Sequence, residues 1–393
     1  MKKRVPLILS IIFLGVFIVF TGMYIYINSS SISFNNIYGN REGLGNFEVV
    51  LYKDKDLYEE EMIINSKGIE KKSVINERAY DGVDVLKDKK FFRGIYPSSN
   101  TFFENKDVMV NVSIKYDSVI PKLQVRFKNK KENTYESFEV KTEEVIKRSS
   151  IDRVSYKDGK INIVFSGSYE GNSIFFGEIP LDSKEFKLVE VLDLGEKLNI
   201  DKENYTINLI DKEFGVLENH DSSKVYYKIN RLVTDINEGL YIDGNIIEVD
   251  SNTREVNFYK PNDKLLDEFK SVYKDSKDGV IGDVFRGYGK IYLTESANNK
   301  TSVMVFDENK KDFVFYKDII ENERLERCGV KISDIGTFII DENRLIIKFM
   351  EYDENNKDNK ICLAVIDIPS KNPVYIGEIE SGYLSSIEIL GGK

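Results

Sequence analysis

"TSVMVFDENKKDFVFYKDI", residues 301–319, consists of two runs of strand-forming residues joined by a polar turn. The first run, SVMVF, is almost continuously apolar, which is typical of a strand that is buried on both faces. The linking DENKKD supplies Asp and Asn side chains, which hydrogen-bond to the backbone of turns. FVFY then resumes the strand. This stretch predicts a β-hairpin inside an all-β protein.

The same hairpin pattern recurs at 172–192, 245–260 and 361–379. Each copy belongs to a longer group of strand patterns, and these groups cover 108–140, 151–192, 231–260, 279–319 and 331–379. Four-stranded antiparallel units repeated along a chain are characteristic of a β-propeller, in which each blade buries its faces against its neighbours. A single strand pattern, GYLSSIEILGG (382–392), follows the last group, and we expect it to complete the first blade.

The predicted fold is therefore all-β and β-propeller-like, with five or six four-stranded antiparallel blades between residues 46 and 393. Only three alanines occur against 23 Tyr and 24 Phe, a composition that favours strands over helices. The alternative is a tandem β-sandwich plus a smaller propeller, because short, evenly spaced strands are also typical of sandwiches. Residues 46–145, where the pattern is weakest, are the segment that would form such a separate β-domain.

Two helices are predicted within this strand-rich chain. PNDKLLDEFKSVYKD (261–275) places its apolar residues on one face and has Asn262 or Asp263 as the N-cap. ENERLERCG (321–329) is a shorter helix that ends at Gly329. We expect the first of them to pack as an insertion between two sheet units.

An uncharged apolar run extends from Val5 to Ile27 and is long enough to cross a hydrocarbon core about 30 Å thick. Three basic residues (2–4) precede it, so the positive-inside rule places the N-terminus in the cytoplasm. A cleaved signal peptide is the alternative, but it has a shorter apolar region and a small-residue cleavage site. The run therefore predicts a single-pass signal anchor in the cell membrane. A cytoplasmic tail (1–4) precedes it, and a linker (28–45) and an extracytoplasmic domain (46–393) follow.

Composition and motifs exclude several classes of function. The net charge is −10 and the densest basic cluster is KNKK (128–131), which argues against a nucleic-acid partner. The chain has no glycine-rich phosphate loop and hence no predicted nucleotide cofactor. His220, the one histidine, lies in the polar turn ENHDSS, and no G-x-S-x-G motif accompanies it. This excludes multi-histidine metal centres and gives no support to a serine triad.

The sequence indicates structural rather than metal-binding or redox roles for three acidic turns and for the two cysteines. The turns at 275–279, 306–312 and 352–360 lack the ligand spacing of a calcium loop and are interpreted as ordinary turns. Cys328 and Cys362 are not arranged as a metal or redox pair, and they are interpreted as two unpaired thiols, with one disulfide as the alternative.

Three carboxylates fall in or beside predicted first strands, which line the central channel of a propeller: Asp283, Asp334 and Asp341. Pairs of carboxylates about 5–10 Å apart catalyse glycoside hydrolysis, so a cell-surface hydrolase or lyase is one hypothesis. With 66 acidic residues in the chain, however, such placement is expected by chance. We therefore predict no catalytic, cofactor-binding or metal-binding residue.

The favoured hypothesis is a membrane-anchored, non-catalytic interaction module at a bacterial cell surface. Its expected ligand is a protein or small molecule that binds at the rim or channel of the propeller. A third hypothesis makes the chain an accessory subunit of a membrane complex, in which the segment from Val5 to Ile27 binds a partner.

Overall fold

Six antiparallel sheets follow one another along the chain in the computed structural model. The described residues are 15, 17–22, 33–55, 58–74, 79–80, 83–84, 86–95, 97–116, 120–167, 173–197, 205–210, 221–231, 241–274, 281–341, 343–351, 360–380 and 386–390. The strands are β1 (Ser33–Gly39), β2 (Glu48–Lys55), β3 (Tyr58–Asn65), β4 (Gly68–Val74), β5 (Ala79–Tyr80), β6 (Val83–Asp84), β7 (Phe102–Glu104), β8 (Val108–Lys115), β9 (Lys122–Asn129), β10 (Thr134–Lys141), β11 (Ser149–Lys157), β12 (Lys160–Gly167), β13 (Ser173–Pro180), β14 (Lys187–Asp193), β15 (Tyr205–Leu209), β16 (Lys224–Arg231), β17 (Tyr241–Asp250), β18 (Val256–Tyr259), β19 (Ile281–Gly287), β20 (Lys290–Ala297), β21 (Lys300–Asp307), β22 (Asp312–Glu321), β23 (Ile332–Asp341), β24 (Arg344–Glu351), β25 (Lys360–Asp367), β26 (Asn372–Glu380) and β27 (Ser386–Leu390).

Five of these sheets have four strands and one has five. They are sheet 1 (β27-β2-β3-β4), sheet 2 (β7-β8-β9-β10), sheet 3 (β11-β12-β13-β14), sheet 4 (β15-β16-β17-β18), sheet 5 (β19-β20-β21-β22) and sheet 6 (β23-β24-β25-β26-β1). The helices are α1 (Lys89–Phe92), α2 (Leu194–Lys197), α3 (Asp263–Lys274) and α4 (Asn322–Glu326), with 3-10 turns at Arg41–Leu44, Leu86–Asp88 and Glu144–Arg148. A small separate hairpin is formed by β5 and β6.

The C-terminal strand completes the first sheet, as predicted for residues 382–392. β27 pairs with β2 in antiparallel register, with Glu48 opposite Leu390 and Tyr52 opposite Ser386. Ile389 on this strand is 4% exposed and belongs to the core between sheets 6 and 1. The two ends of the chain are thereby joined in one sheet.

Five apolar clusters link the sheets in series. They lie between sheets 2 and 3, 3 and 4, 4 and 5, 5 and 6, and 6 and 1. Each sheet is therefore covered by its neighbours rather than by a second, separate layer, which is why strands such as β21 are apolar on both faces. The predicted all-β, β-propeller-like fold is confirmed at this level.

Every sheet follows the same path, which defines two faces of the molecule. The turns that join first to second strands and third to fourth strands lie on one face, here called the lower face; in sheet 5 they are residues 288–289 and 308–311. The turns that join second to third strands, such as residues 298–299, lie on the opposite face, here called the upper face. The connections from sheet 2 to sheet 3 and from sheet 5 to sheet 6, residues 142–148 and 322–331, also follow strands that end on the upper face.

Most of the predicted strand groups agree with the structure. In the group at 231–260 the pattern predicts separate strands at 239–244 and 245–250, and this division was wrong; residues 232–240 lie outside the described residues. Tyr241–Asp250 forms one strand, β17, whereas the sequence pattern around Gly244 indicated a break. Gly244 has a φ of 81° and lies where the pairing of β16 with β17 shifts register, so it forms a bulge rather than a turn. Sheet 4 begins earlier, with β15 and β16.

Residues 46–145 divide between two sheets. β2 to β4 belong to sheet 1 with the C-terminal strand, and β7 to β10 form sheet 2. The predicted linker at 28–45 also contains regular structure. Its residues 33–39 are β1, the fifth strand of sheet 6, and the following 3-10 turn places Leu44 in the core with no exposure.

Both predicted helices are present. In α3, the Leu265 N–H donates to Asn262 Oδ1 at 2.9 Å, which confirms Asn262 as the N-cap. Phe269 of this helix is fully buried between sheets 4 and 5, as expected for an insertion. α4 is followed by Gly329, which has a φ of 95°. Cys328 and Cys362 are both free thiols, as favoured from the sequence.

No helix among the described residues is both long and apolar enough to span a membrane. Of the predicted segment from Val5 to Ile27, residues 15 and 17–22 are described and are helical. The remainder of that segment lies outside the described residues.

Candidate functional site

A short connection between sheets 6 and 1 crosses the lower face and forms one wall of a cleft. We call residues 40–47 the strap. It leaves β1 at Gly39 and reaches β2, and its Leu44 and Phe47 side chains are 0% and 2% exposed. Gly45 has a φ of 61°, and a Cβ at this position would lie 2.2 Å from Arg344 Nη1. Only glycine therefore lets the strap approach sheet 6 this closely.

Between the strap and sheet 6 lies a cavity of about 370 Å³, here called the strap cleft. Its lining residues are Gly45, Asn46, Phe47, Asp341, Asn343, Arg344 and Asp367. Arg344 lies at the start of β24, opposite Asp341 on β23 and opposite Asp367 on β25. Its Nη1 donates to the Gly43 carbonyl at 2.7 Å, so the guanidinium also ties the strap to the sheet.

The charge state of the strap cleft follows from local hydrogen bonds. The Ser370 hydroxyl and N–H both donate to Asp367 Oδ2, at 2.5 and 3.0 Å. These bonds, together with the nearby Arg344 cation, hold the pKa of Asp367 below its ordinary value. The cleft therefore presents a carboxylate and a guanidinium side by side at neutral pH, together with the amides of Asn46 and Asn343.

This combination suits the binding of a polar ligand. Carboxylates and amide oxygens accept hydrogen bonds, while guanidinium and amide N–H groups donate them, so a hydroxylated or zwitterionic ligand finds partners of both kinds. The lining has no Ser, Cys, Lys or His that could act as a nucleophile beside a base. His220 lies outside the described residues.

The structure separates two of the three carboxylates that the sequence placed at the channel. Asp341 and Asp334 lie seven residues apart on β23, at opposite ends of the strand, which corresponds to about 23 Å. Asp283 is the third residue of β19 and Asp334 the third of β23, so these two occupy equivalent positions in neighbouring sheets. The Asp283 side chain is exposed and accepts from the Val284 N–H at 2.8 Å. Asp341 alone belongs to the strap cleft.

A second polar cluster lies between sheets 4 and 5 and is centred on Glu248, which is 1% exposed. Its carboxylate accepts from Tyr226 Oη at 2.7 Å, from Lys224 Nζ at 3.1 Å and from Lys311 Nζ. Burial alone would raise the pKa of Glu248, but the hydrogen bonds from Lys311, Tyr226 and Lys224 outweigh it and lower the pKa to about 2. The Glu248 carboxylate is therefore ionised at neutral pH, and its hydrogen bonds to neighbouring side chains give it a structural role.

Arg286 extends this cluster. Its Nε and Nη2 donate to the two carboxylate oxygens of Glu308 at 2.7 and 3.1 Å, and its guanidinium lies 4.5 Å from the ring centre of Tyr226. Arg286 is 3% exposed. A bidentate pair of this kind joins the first strand of sheet 5 to the turn between its third and fourth strands.

A third cluster surrounds Asp152, which is fully buried at a bulge in β11. Its oxygens accept from the hydroxyls of Tyr227, Ser150 and Ser166 at 2.7, 3.1 and 3.0 Å. Tyr227 belongs to sheet 4, so the carboxylate joins sheets 3 and 4. No sequence pattern indicated this contact, because Asp152 and Tyr227 are far apart along the chain.

The acidic turn at 306–312 is an ordinary hairpin turn, as interpreted. Asp307 Oδ1 accepts from the N–H groups of Asn309 and Lys310, both at 2.9 Å. The other two acidic turns, at 275–279 and 352–360, fall almost entirely outside the described residues. Within the described part of the chain, no group of three or more His, Cys, Asp or Glu could hold a metal ion.

No family model and no curated protein matches this chain. Among solved structures it is similar to the β-propeller domain of the Trilobed protease from Pyrococcus furiosus, with 12% identity over 81% of this chain and 92% of that one, and a TM-score of 0.23. It is also similar to arabinanase Arb43A from Bacillus subtilis, with 11% identity over 70% of this chain and 95% of that one, and a TM-score of 0.21. A third similar structure is polysaccharide lyase Uly1, with 12% identity and a TM-score of 0.30. The match covers 73% of this chain but only 58% of the lyase.

Proposed function

We propose that this chain is a non-catalytic interaction module that is held at the outer side of a cell membrane by residues 5–27. Its ligand, a hydroxylated or zwitterionic small molecule or a protein segment that presents such groups, binds in the strap cleft. The observation that carries this proposal is the cleft itself, in which Arg344, Asp341 and Asp367 present hydrogen-bond donors and acceptors to a ligand. The scaffold in this proposal is a closed, six-bladed β-propeller.

The membrane part of the proposal rests on the N-terminal residues. Phe17, Ile18, Val19 and Phe20 are helical, and their side chains are 60–68% exposed. Four consecutive apolar side chains left in water are unfavourable, whereas lipid would cover them. The charged residues 2–4 before the segment supply the asymmetry that keeps the N-terminus in the cytoplasm.

The hydrolase hypothesis receives less support from the geometry. Asp341 is about 23 Å from Asp334 along β23, so these two cannot form a carboxylate pair, and only Asp283 and Asp334 occupy equivalent positions. The accessory-subunit hypothesis differs from ours in the role of the apolar segment. It predicts loss of function when residues 5–27 are exchanged for an unrelated span, whereas a simple anchor tolerates that exchange.

Site-specific photocrosslinking in cells tests the proposal. A photoreactive residue replaces Asn343, which is exposed in the strap cleft, and in a matched variant it replaces Asn309, which is exposed in a turn of sheet 5 on the same face. We expect a discrete adduct at position 343 and none at 309, identified by mass spectrometry of the membrane fraction. Equal adducts at both positions, or none at 343, would contradict a ligand site in the cleft.

A further inference from the structure

Three charged side chains form a row across the lower end of sheet 6. Arg344, at the start of β24, lies directly opposite Asp341 of β23 and directly opposite Asp367 of β25. Residues that face each other across antiparallel strands point to the same side of the sheet, with Cβ atoms about 5 Å apart. The order of the row is therefore carboxylate, guanidinium, carboxylate, and all three side chains line the strap cleft.

The charges of this row are held apart from one another. Opposite charges at directly facing positions ordinarily attract each other, but among these described side chains Arg344 forms an ion pair with neither carboxylate. Its Nη1 donates instead to the Gly43 carbonyl of the strap at 2.7 Å. Asp367 Oδ2 accepts from the hydroxyl and the N–H of Ser370, at 2.5 and 3.0 Å. The cleft therefore offers charges of both signs that are oriented by neutral backbone and hydroxyl groups.

The guanidinium is suited to a carboxylate ligand. Both of its bonds to the strap, to the carbonyls of Gly43 and Glu42, use Nη1. A guanidinium has five N–H donors in a planar fork, and this fork matches the two oxygens of a carboxylate. The aspartates on either side of it are acceptors for the N–H groups of an ammonium ion.

The balance of charge and the size of the cleft narrow the ligand further. Two aspartates against one arginine leave the row with a net negative charge at neutral pH, so a matching ligand carries one more cation than anion. Its volume of about 370 Å³ is near the small end of the range for ligand pockets. Among the described lining residues only Phe47 is apolar, and it is 2% exposed, so the walls favour a small polar molecule.

We infer that the strap cleft binds a basic amino acid, whose carboxylate lies on Arg344 and whose two ammonium groups lie on Asp341 and Asp367. This inference rests on the proposed function of the cleft as a binding site and names the chemical class of its ligand. Neutral sugars lack both kinds of charge, and neutral amino acids lack the second ammonium group, so both should bind more weakly.

Calorimetric titration of the purified full chain in detergent micelles tests this ligand class. The probes are L-lysine, lysinamide, which lacks the carboxylate, L-alanine, which lacks the second ammonium group, and glucose, which is hydroxylated and uncharged. We expect lysine to bind most tightly. Lysinamide and alanine should each bind about tenfold more weakly, because each loses one charge-assisted hydrogen-bonded contact.

Two variants locate the binding within the molecule. Asp341→Asn keeps the shape of the side chain and removes its charge, and it should weaken lysine binding about tenfold. Asp158→Asn is the matched control, since Asp158 is exposed in the lower turn between β11 and β12 and asparagine tolerates its positive φ of 51°. This control should bind lysine as the parent does. The comparison of lysine with lysinamide uses the parent chain alone and stands even if a variant fails to fold.

Several outcomes would overturn the inference. Equal affinities for lysine and lysinamide, or for lysine and alanine, would show that the cleft does not read these charges, as would unchanged lysine binding in Asp341→Asn. Tighter binding of glucose would replace the amino acid with a neutral hydroxylated ligand and leave the proposed function standing. Binding of none of the probes would also overturn the inference, and the crosslink at position 343 then decides separately whether the cleft is a binding site.

Discussion

At the scale of single residues, the hairpins of sheets 3 to 6 share one left-handed position in the lower turn between their third and fourth strands. Lys184, Arg254, Lys311 and Lys371 occupy it in sheets 3 to 6, with φ between 54° and 64°. The Asp at the start of several of these turns was predictable, because Asp–backbone bonding is local chemistry. The positive φ of the lysines and the arginine was not predictable, because these residue types have no preference for the left-handed backbone conformation.

Gly45 in the strap is the residue at which a small change should have the largest local effect. In Gly45→Ala the new Cβ meets the Arg344 guanidinium at a backbone conformation that suits only glycine. We expect the free energy of unfolding to fall by about 1–3 kcal/mol, measured by denaturant titration with far-UV circular dichroism. Gly68→Ala is the matched control, since nothing lies within 4 Å of its Cβ, and it should change stability by less than about 1 kcal/mol. Equal losses in the two variants would contradict the close approach.

Glu248 should give the protein a measurable acid sensitivity. Its pKa is about 2 in the folded chain, against an ordinary value of 4.5 that we take for the unfolded chain. Because the folded pKa is the lower one, its stabilisation is complete above about pH 4.5 and is lost as the pH falls toward 2. Glu248→Gln should cost about 3 kcal/mol at pH 7, because the surrounding lysines lose their carboxylate.

Denaturant titrations of both proteins from pH 7 down to pH 2.5 measure this effect. The gap in stability between the parent and Glu248→Gln should narrow only below about pH 4.5. The exposed Glu255 of the adjacent turn provides the control, and Glu255→Gln should shift stability by no more than about 0.5 kcal/mol. A gap that stays constant through the acid range would show that Glu248 is not held in its charged form.

At the scale of elements, strands with continuous apolar runs were predictable and short or half-exposed strands were not. The hairpins of sheets 3, 5 and 6 were recognised because both faces are buried, as in β21 and β25. β7 has three residues, too few for a periodic signal. β1 reads SFNNIYG and exposes about half of its length, so its pattern resembled a linker. The strap cleft escaped prediction because it joins residues 45–47 to residues nearly 300 positions later.

The docking of β1 onto sheet 6 can be tested by a double-mutant cycle. Gly377→Ala should displace the Phe34 ring and destabilise the edge of sheet 6 by about 1–3 kcal/mol. In a Phe34→Ala background the same substitution should lower the free energy of unfolding much less, because the ring that clashes with the new methyl group is absent. Limited proteolysis within residues 33–39 gives a second readout, and cleavage should accelerate in Gly377→Ala alone. Additive losses in the two variants would mean that they do not interact.

At the scale of the whole molecule, closure by β27 is the property on which the others depend. A chain that ends after residue 385 lacks the first strand of sheet 1 and exposes the core around Ile389. We expect this truncation to lower the thermal transition by at least 10 °C or to abolish cooperative unfolding, measured by circular dichroism. A chain that ends after residue 390 keeps all of β27 and should behave as the parent does. Similar transitions for the two truncations would argue against closure.

The series of four-stranded sheets was predictable from repetition, since one such sheet cannot bury both its faces alone and several must occur together. The number of sheets was bounded but not determined by the sequence. Sheet 4 contains the bulged β17 and a short first strand, and its pattern therefore departed from that of its neighbours. Repetition thus predicts an architecture more reliably than it predicts each copy.

The pairing of both early strands with the end of the chain has a consequence for biogenesis. β1 pairs with β26 and β2 with β27, so each must wait for segments made more than 330 residues later. If the apolar segment enters the membrane first, these two strands emerge next to the lipid with open edges while the rest of the chain is still being exported. Such edges invite pairing with neighbouring chains. If the chain is exported as proposed, its export should depend on a holding chaperone at the translocation site more than export of a chain whose neighbouring strands pair as they appear.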